Sequence, residues 1–383
     1  MSGKERAEKL EQFIDSLRKE ERITLRLRQL YERLNYRKFR MRKFEEYQLY
    51  ADNKNFLKSE NVITFHDLDG RLMALKPDVT LSIVKNTKAD LEHSEKLYYI
   101  ENVYRLSRHN HEYREISQMG LEYIGRVDEY AALEVAHLAM ESLKAIDQRF
   151  VLEFSHMGFI SGLLDNINLD SETRGQVIDC IRSKNAHELK RILAQSGVSS
   201  FYAERIERLP GLYGSFEPVL KSAREIAVND TMAQALDELQ KLYAALSQLA
   251  DSSALRLDFS LINDIDYYNG MIFQGYVEKV PQAVLSGGRY DLLLRKMGKQ
   301  AQALGFALYL DELNRCYPTR RELDVDVLAL RENGDEAGFA AAVWALCQSG
   351  LSVRAENEFC GEIRYKKLMR YQDGALREVN EDA

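Results

Sequence analysis

The sequence predicts an α+β fold: a sheet domain flanked by helices and carrying a helical insertion, then a small C-terminal α/β unit. Three observations predict it. Tyr98 to Tyr104 and Ser117 to Ile124 read as the arms of a long hairpin around the charged stretch Ser107 to Arg114. Ile160 to Leu249 follows the helical period almost throughout, with strand-like segments on either side of it. Beyond Pro318, an apolar strand, a helix and a second strand follow in β-α-β order.

The elements are justified in chain order. Residues from about Lys4 to Leu34 are helix-rich, with Leu10, Phe13, Ile14 and Leu17, then Leu27, Leu30 and Leu34, at helical spacing. Val62 to Phe65 and Leu72 to Leu75 read as strands around the turn Asp67-Leu68-Asp69-Gly70. Asp78 onward reads as a helix start. After the hairpin, Asp128 to Ile146 is a helix with Ala132, Val135, Ala136 and Ala139 on one face, and 151–155 is a strand. The helical insertion, about 160–250, is split by Pro210-Gly211 and Pro218. Strand character returns at Leu255 to Phe259, Met271 to Val277 and Val284-Leu285. Helices are expected at about Arg289–Met297 and Gly305–Tyr317. Pro318 to Arg321 marks a boundary, giving domains 1–318 and 319–383. In the second, Val325 to Leu330 is a strand, Glu336 to Ser349 a helix and Gly350 to Val353 a strand.

Composition limits the function classes. The 383 residues suggest about two domains, and 45% apolar content is ample for a core. A net charge of −7 spread over this length serves solubility. It argues against non-specific nucleic-acid binding, although a local basic patch remains compatible with it. Cys180, Cys316, Cys347 and Cys360 are scattered, with no C-x-x-C pair and no zinc spacing, so they read as thiols in a reducing compartment. No run approaches the ~18 apolar residues of a membrane span. The start, Met1-Ser2-Gly3-Lys4-Glu5-Arg6, leads into charged helix, so a cytoplasmic location is expected. His109-Asn110-His111 lacks a carboxylate-rich partner and reads as a hairpin tip. Neither a metal nor a cofactor is expected.

Several residues carry possible chemistry. Lys76-Pro77-Asp78-Val79-Thr80 places a carboxylate and a neutral acceptor two residues apart, which suits an ammonium group. A helix N-terminus with Pro77 and Asp78 in its first turn explains the same residues. Arg105 sits on a strand where an unpaired charge is costly, so it needs an anionic partner. Gln118 and Glu122, four apart on a strand, face one side and can line one pocket. Tyr267 and Tyr268 offer an aromatic wall with hydroxyls, and Asn269-Gly270 a turn into the next strand. Ser286-Gly287-Gly288-Arg289 lacks the lysine and serine/threonine of a P-loop and reads as a strand-to-helix turn.

Four segments in order resemble the catalytic domain of histidyl-tRNA synthetase, a class II aminoacyl-tRNA synthetase. They are Lys76 to Thr80, Tyr104 to Arg108, Leu261 to Phe273 with its Asp266-Tyr267-Tyr268-Asn269-Gly270 core, and Ser286 to Asp291 leading into Gly305-Phe306-Ala307. The resemblance implies a class II antiparallel sheet and a histidine pocket of Asp78, Thr80, Arg105, Gln118, Glu122, Tyr267 and Tyr268. Asp78 and Thr80 would take the ammonium, Arg105 and Gln118 the carboxylate region, and Glu122 with Tyr267 the imidazole. Positions where that family places catalytic charges instead hold Ser107, Asn263 and Glu312. Each cation lost from a phosphoryl site costs about 3 kcal/mol of barrier. Motif 1 keeps Phe44-Glu45 but has Arg42 at its usual proline.

A kept histidine pocket beside a lost ATP site resembles the regulatory-subunit family of ATP phosphoribosyltransferase. That resemblance implies no catalytic residues and no cofactor. It implies histidine as effector of a feedback loop in the first step of histidine biosynthesis. The implied partner is the short-form catalytic subunit, in a hetero-oligomer of the hetero-octamer kind, with a homodimer of this chain inside it. The tail resembles only the first part of an anticodon-binding domain, so tRNA is not expected as a partner. A divergent histidyl-tRNA synthetase or another synthetase-like binding module are the alternatives.

Overall fold

The computed structural model describes residues 17–57, 62–106, 112–249, 251–262, 267–316, 323–331, 335–359, 361 and 363–379. The chain divides into two compact units, Met1–Tyr317 and Pro318–Ala383.

The first unit is built on a nine-stranded sheet. Its strands are β1 (Arg37–Lys38), β5 (Glu95–Leu106), β6 (Tyr113–Gly125), β7 (Phe150–His156), β8 (Tyr213–Ser215), β9 (Leu255–Asp258), β10 (Met271–Val277), β11 (Leu285–Arg289) and β12 (Gln302–Tyr309). The order is β1-β5-β6-β12-β11-β10-β7-β9-β8. Every pairing is antiparallel except β1 with β5 and β7 with β9. β2 (Phe44–Glu46), β3 (Thr64–His66) and β4 (Leu72–Leu75) form a separate small antiparallel sheet.

Helices cover the large sheet because their apolar stripes need burial. The helix Lys19–Arg33 buries Ile23, Leu27 and Tyr31. It docks on Glu129–Ile146 through a hydrogen bond between the Tyr31 hydroxyl and Ser142 Oγ at 2.7 Å. Tyr36, just beyond it, donates to Glu134 Oε1 at 2.8 Å on the same helix. Asp128 caps Glu129–Ile146 by accepting from Ala131 N at 2.8 Å. The insertion comprises the helices Met157–Leu164, Ser171–Arg182, Ala186–Gln195, Ser200–Arg208, Phe216–Ile226 and Asp230–Leu249. It shares one continuous core with the sheet, for example through Phe159 against Phe259 at 4.4 Å between ring centres.

Three sequence expectations are corrected. Residues 302–309 form strand β12, not the start of a helix at Gly305; the helix begins at Leu310. β12 is central and largely buried, so its continuous apolar run lacks the alternation that marks a half-exposed strand. Gly287 and Gly288 lie inside β11, not in a strand-to-helix turn, and the following helix is Asp291–Lys296. In the second unit, β13 (Val325–Arg331) and the helix Glu336–Gln348 lie as expected, while β14 begins at the end of the expected 350–353 segment and runs Val353–Glu356. Two further strands, β15 (Tyr365–Gln372) and β16 (Ala375–Glu378), complete a sheet of order β14-β13-β15-β16. Their charged residues hid them, because most of their side chains stay at least partly exposed.

Cys180, Cys316 and Cys347 are free thiols, and Cys360 and His109 to His111 lie outside the described residues. Among the described residues no His, Cys, Asp and Glu group has a metal-binding arrangement, and no helix is long and apolar enough to cross a membrane.

Candidate functional site

One face of the large sheet is the floor of a cavity of about 790 Å³. Strand register sets what the floor presents. Glu122, Gly305, Gly288 and Ile272 lie side by side across β6, β12, β11 and β10. The next row is Gly120, Ala307, Ser286, Gln274 and Glu153, running on to β7. Gln118 lies two residues from Gly120 on the same face, opposite Tyr309.

The glycines make this floor shallow. A methyl on Gly305 would overlap the Glu122 carboxylate, one on Gly120 would overlap the Tyr99 ring, and one on Gly288 would meet Tyr268. Their absent side chains are what let a carboxylate and two phenol rings lie flat on the strands.

All seven sequence-selected residues, Asp78, Thr80, Arg105, Gln118, Glu122, Tyr267 and Tyr268, line this one cavity. Asp78 serves the helix start considered for it and also approaches Arg105. Its Oδ1 accepts from Leu81 N at 3.0 Å, holding the first turn of the helix Thr80–Asn86, while its Oδ2 lies 3.7 Å from Arg105 Nη2. Arg105 also donates from Nε to Pro77 O at 2.8 Å, which ties the hairpin to the Asp78 loop. Buried Lys76, paired with Glu101 on β5, anchors the same loop from its other side.

Glu122 is the electrostatic centre of the pocket. It is 3% exposed and accepts from Thr80 Oγ1 at 3.1 Å and from the Tyr290 hydroxyl at 2.6 Å. Burial pushes its carboxyl up to about 8, and the Asp78 charge adds to this, while the Tyr290 and Thr80 hydrogen bonds pull the other way. Near neutral pH this favours the protonated carboxyl. It can donate to a ring nitrogen, or ionise beside an imidazolium. Desolvation, and then neighbouring phenols and carboxyls, hold Tyr267, Tyr268 and Tyr290 well above the ordinary phenol range.

The aromatic wall is continuous. Tyr267 packs on Tyr268 at 4.4 Å, on Tyr290 at 5.7 Å and on Phe56 at 5.8 Å between ring centres. Asn269 fixes it by receiving Asp291 N on Oδ1 at 2.8 Å and donating to Asp291 Oδ2 at 3.1 Å. Asp291 also takes Arg289 Nε at 2.8 Å and Ala303 N at 3.0 Å. The Tyr-Tyr-Asn-Gly and Gly-Gly-Arg-Tyr-Asp segments thus interlock through one carboxylate.

Sequence reasoning missed several lining residues. Tyr290 lay inside a motif already singled out, and its hydroxyl was the available signal. Tyr99, Glu153 and Asp258 had none. Arg182 and Lys184 enter from the insertion. Arg182 Nε donates to Ile262 O at 3.1 Å, and Lys184 Nζ binds Asp258 Oδ2 at 2.8 Å while lying 3.7 Å from the centre of the Tyr213 ring. Lys184 sits at φ 55, a left-handed turn between two insertion helices. Ser107 and Asn263 lie outside the described residues. Glu312 is on the helix Leu310–Cys316, outside the cavity lining.

Comparison with known proteins gives a consistent picture. Residues 13–313 match the family described as histidyl-tRNA synthetase. The chain is 30% identical over 273 residues to an ATP phosphoribosyltransferase regulatory subunit from Oceanobacillus iheyensis, covering 70% of this chain and 67% of that one. It is 29% identical over 309 residues to one from Clostridium botulinum, covering 78% of this chain and 72% of that one. Among solved structures, a Bacillus halodurans protein described as an ATP phosphoribosyltransferase regulatory subunit/histidyl-tRNA synthetase superposes with a TM-score of 0.76 at 23% identity, covering 92% and 93% of the two chains. A chain of the ATP phosphoribosyl transferase (HisG:HisZ) complex of Thermotoga maritima gives 0.61 at 19% identity, covering 75% of this chain and 96% of that one.

Proposed function

Because the chain belongs to the histidyl-tRNA synthetase-like family of ATP phosphoribosyltransferase regulatory subunits, we propose that it is a sensor without catalysis of its own. It binds histidine in the cavity over Glu122 and transmits occupancy to a separate short-form catalytic subunit. The observation that carries the reading is Glu122 itself. A buried carboxyl held by Thr80 and Tyr290, walled by Tyr267, suits a flat ring with two polar nitrogens. Asp78 and Thr80 at the helix start take the ammonium. Arg105 and Gln118 take the carboxylate region. Histidine feedback is then a coupling free energy of about 1–3 kcal/mol between this pocket and the partner's site.

Absence of adenylation follows from Asn263 and Glu312 standing where the synthetases carry cations. The chain works inside a hetero-oligomer, as a homodimer within a hetero-octamer, in the cytoplasm. The deciding experiment is the activity of a short-form phosphoribosyltransferase with and without this chain across histidine concentrations. Activity that needs the chain and falls with histidine is expected. Activity indifferent to the chain would overturn the reading. A divergent synthetase is the competing account, and histidine-dependent ATP–pyrophosphate exchange at synthetase rates would favour it.

A further inference from the structure

Tyr50 lies in the short helix Tyr47–Ala51 and is wholly buried. It shares one buried cluster with Ala74 on β4 and with Val79 and Leu81, the neighbours of Thr80. β4 ends at Leu75 and leads directly into Lys76-Pro77-Asp78. The same segment reaches the pocket a second time, where Phe56 packs on Tyr267 and, with Leu57, lines the cavity. Asn53 Nδ2 donates to Leu49 O at 2.8 Å and ties the two points together.

The Tyr50 hydroxyl has no hydrogen-bond partner among the described residues. A buried hydroxyl is costly unless it is paired, and a phenylalanine would fill the same space without that cost. Packing therefore explains the ring and leaves the oxygen unexplained. Burial first, then the Asp78 and Glu45 charges, raise the phenol above its ordinary range, so it remains an O–H donor. Glu45 is already engaged, taking Ser82 Oγ at 3.3 Å and Lys85 Nζ at 2.9 Å. Asp78 has acceptor capacity left. Its Oδ1 holds Leu81 N, but Arg105 Nη2 stands 3.7 Å from its Oδ2, beyond hydrogen-bond length.

A zwitterionic ligand changes this balance. Its carboxylate competes for Arg105, and its ammonium needs the Asp78 charge fixed in place. We propose that Tyr50 is a positioning residue for the ligand's ammonium: in the occupied pocket its hydroxyl donates to Asp78 and fixes that carboxylate on the ammonium. This role rests on the histidine site proposed above, and it adds to that site a residue outside the cavity lining.

The test is calorimetry on the full chain and its Tyr50→Phe variant with two ligands, L-histidine and imidazolepropionate, which is histidine without the ammonium. The variant should bind histidine about five-fold or more weakly, for loss of one hydrogen bond to a charged group, and bind imidazolepropionate as the wild type does. Its melting temperature without ligand should equal or exceed that of the wild type, since no hydrogen bond is lost there. On an Asp78→Asn background, which keeps an acceptor for Leu81 N, Tyr50→Phe should change histidine affinity little further, because two residues acting through one contact are not additive. Equal weakening of both ligands would make Tyr50 a packing residue and overturn the proposal. So would unchanged histidine affinity, with or without a fall in melting temperature, or an equal effect of Tyr50→Phe with Asp78 present and replaced. A wild type that binds neither ligand would overturn the functional reading and this role with it, whereas histidine binding that Tyr50→Phe leaves intact would overturn the role of Tyr50 alone.

Discussion

Glu122 gathers most of the pocket's chemistry into one side chain. Its carboxyl is raised from about 4.5 to about 8 in the fold. Between those values the folded state holds more protons than the unfolded state. Stability therefore falls as pH rises through that window, by up to roughly 1.4 kcal/mol per unit, and the penalty is absent below it. Glu122→Gln cannot ionise. Thermal unfolding of the unliganded chain should show the variant gaining on the wild type between pH 5 and 8, as an order-of-magnitude window from those limits. Parallel curves would mean that Glu122 ionises freely. In calorimetry the same variant should bind histidine more weakly by about ten-fold or more, for loss of the charge-assisted hydrogen bond, worth roughly 1.5–3 kcal/mol, that Glu122 makes when it ionises beside an imidazolium. Tyr290→Phe removes the 2.6 Å donor to Glu122. It should weaken histidine with little effect on the fold; unchanged affinity in both variants would place the sensor elsewhere.

At the scale of elements, the pocket depends on small residues in adjoining strands. Gly305 on β12 lies opposite Glu122 on β6. Gly305→Ala pushes a methyl into the carboxylate, an overpacking cost of about 1–3 kcal/mol. The melting temperature should drop and histidine binding should be lost along with it, whereas Gly298→Ala, in open space outside the pocket but at positive φ, should cost stability alone. The interlock between Asn269 and Asp291 joins β10 to the turn after β11. Asn269→Ala leaves the Asp291 N–H without its acceptor and removes one of the two donors to Asp291 Oδ2, a cost of about 1–3 kcal/mol. Loss of histidine binding with Tyr267 and Tyr268 intact in sequence would show that the wall needs its brace; full binding would show that it does not.

At the scale of the molecule, a synthetase-like sheet carries a large cavity, and Asn263 and Glu312 stand where the resemblance to the synthetases places cations. Histidine-dependent ATP–pyrophosphate exchange is expected to stay at background with the full chain. Exchange that rises with histidine would show the site to be catalytic. The insertion also shapes the cavity, since Arg182 at a helix end and Lys184 in the turn after it both line it. The second unit is a four-stranded sheet with one helix.

Much of this was legible in residues alone. The β5–β6 hairpin, the helix Glu129–Ile146 and the insertion announce themselves through period and breakers, because each is a local pattern repeated over many residues. The seven pocket residues were selectable because motif order survives in the chain. Local pattern failed where burial was two-sided or absent. β12 lies in the middle of the sheet and reads as apolar throughout, whereas β15 and β16 stay partly exposed and read as charged. Only the tertiary structure placed Tyr290 on Glu122, Asp291 under Asn269 and Lys184 over the cavity. These contacts join residues up to 168 positions apart. The sequence by itself determined which side chains are available and which long periodic segments form strands and helices. Strand register and packing decided which of them meet, because hydrogen-bonded pairing across the sheet brings distant residues together and no local rule encodes that pairing.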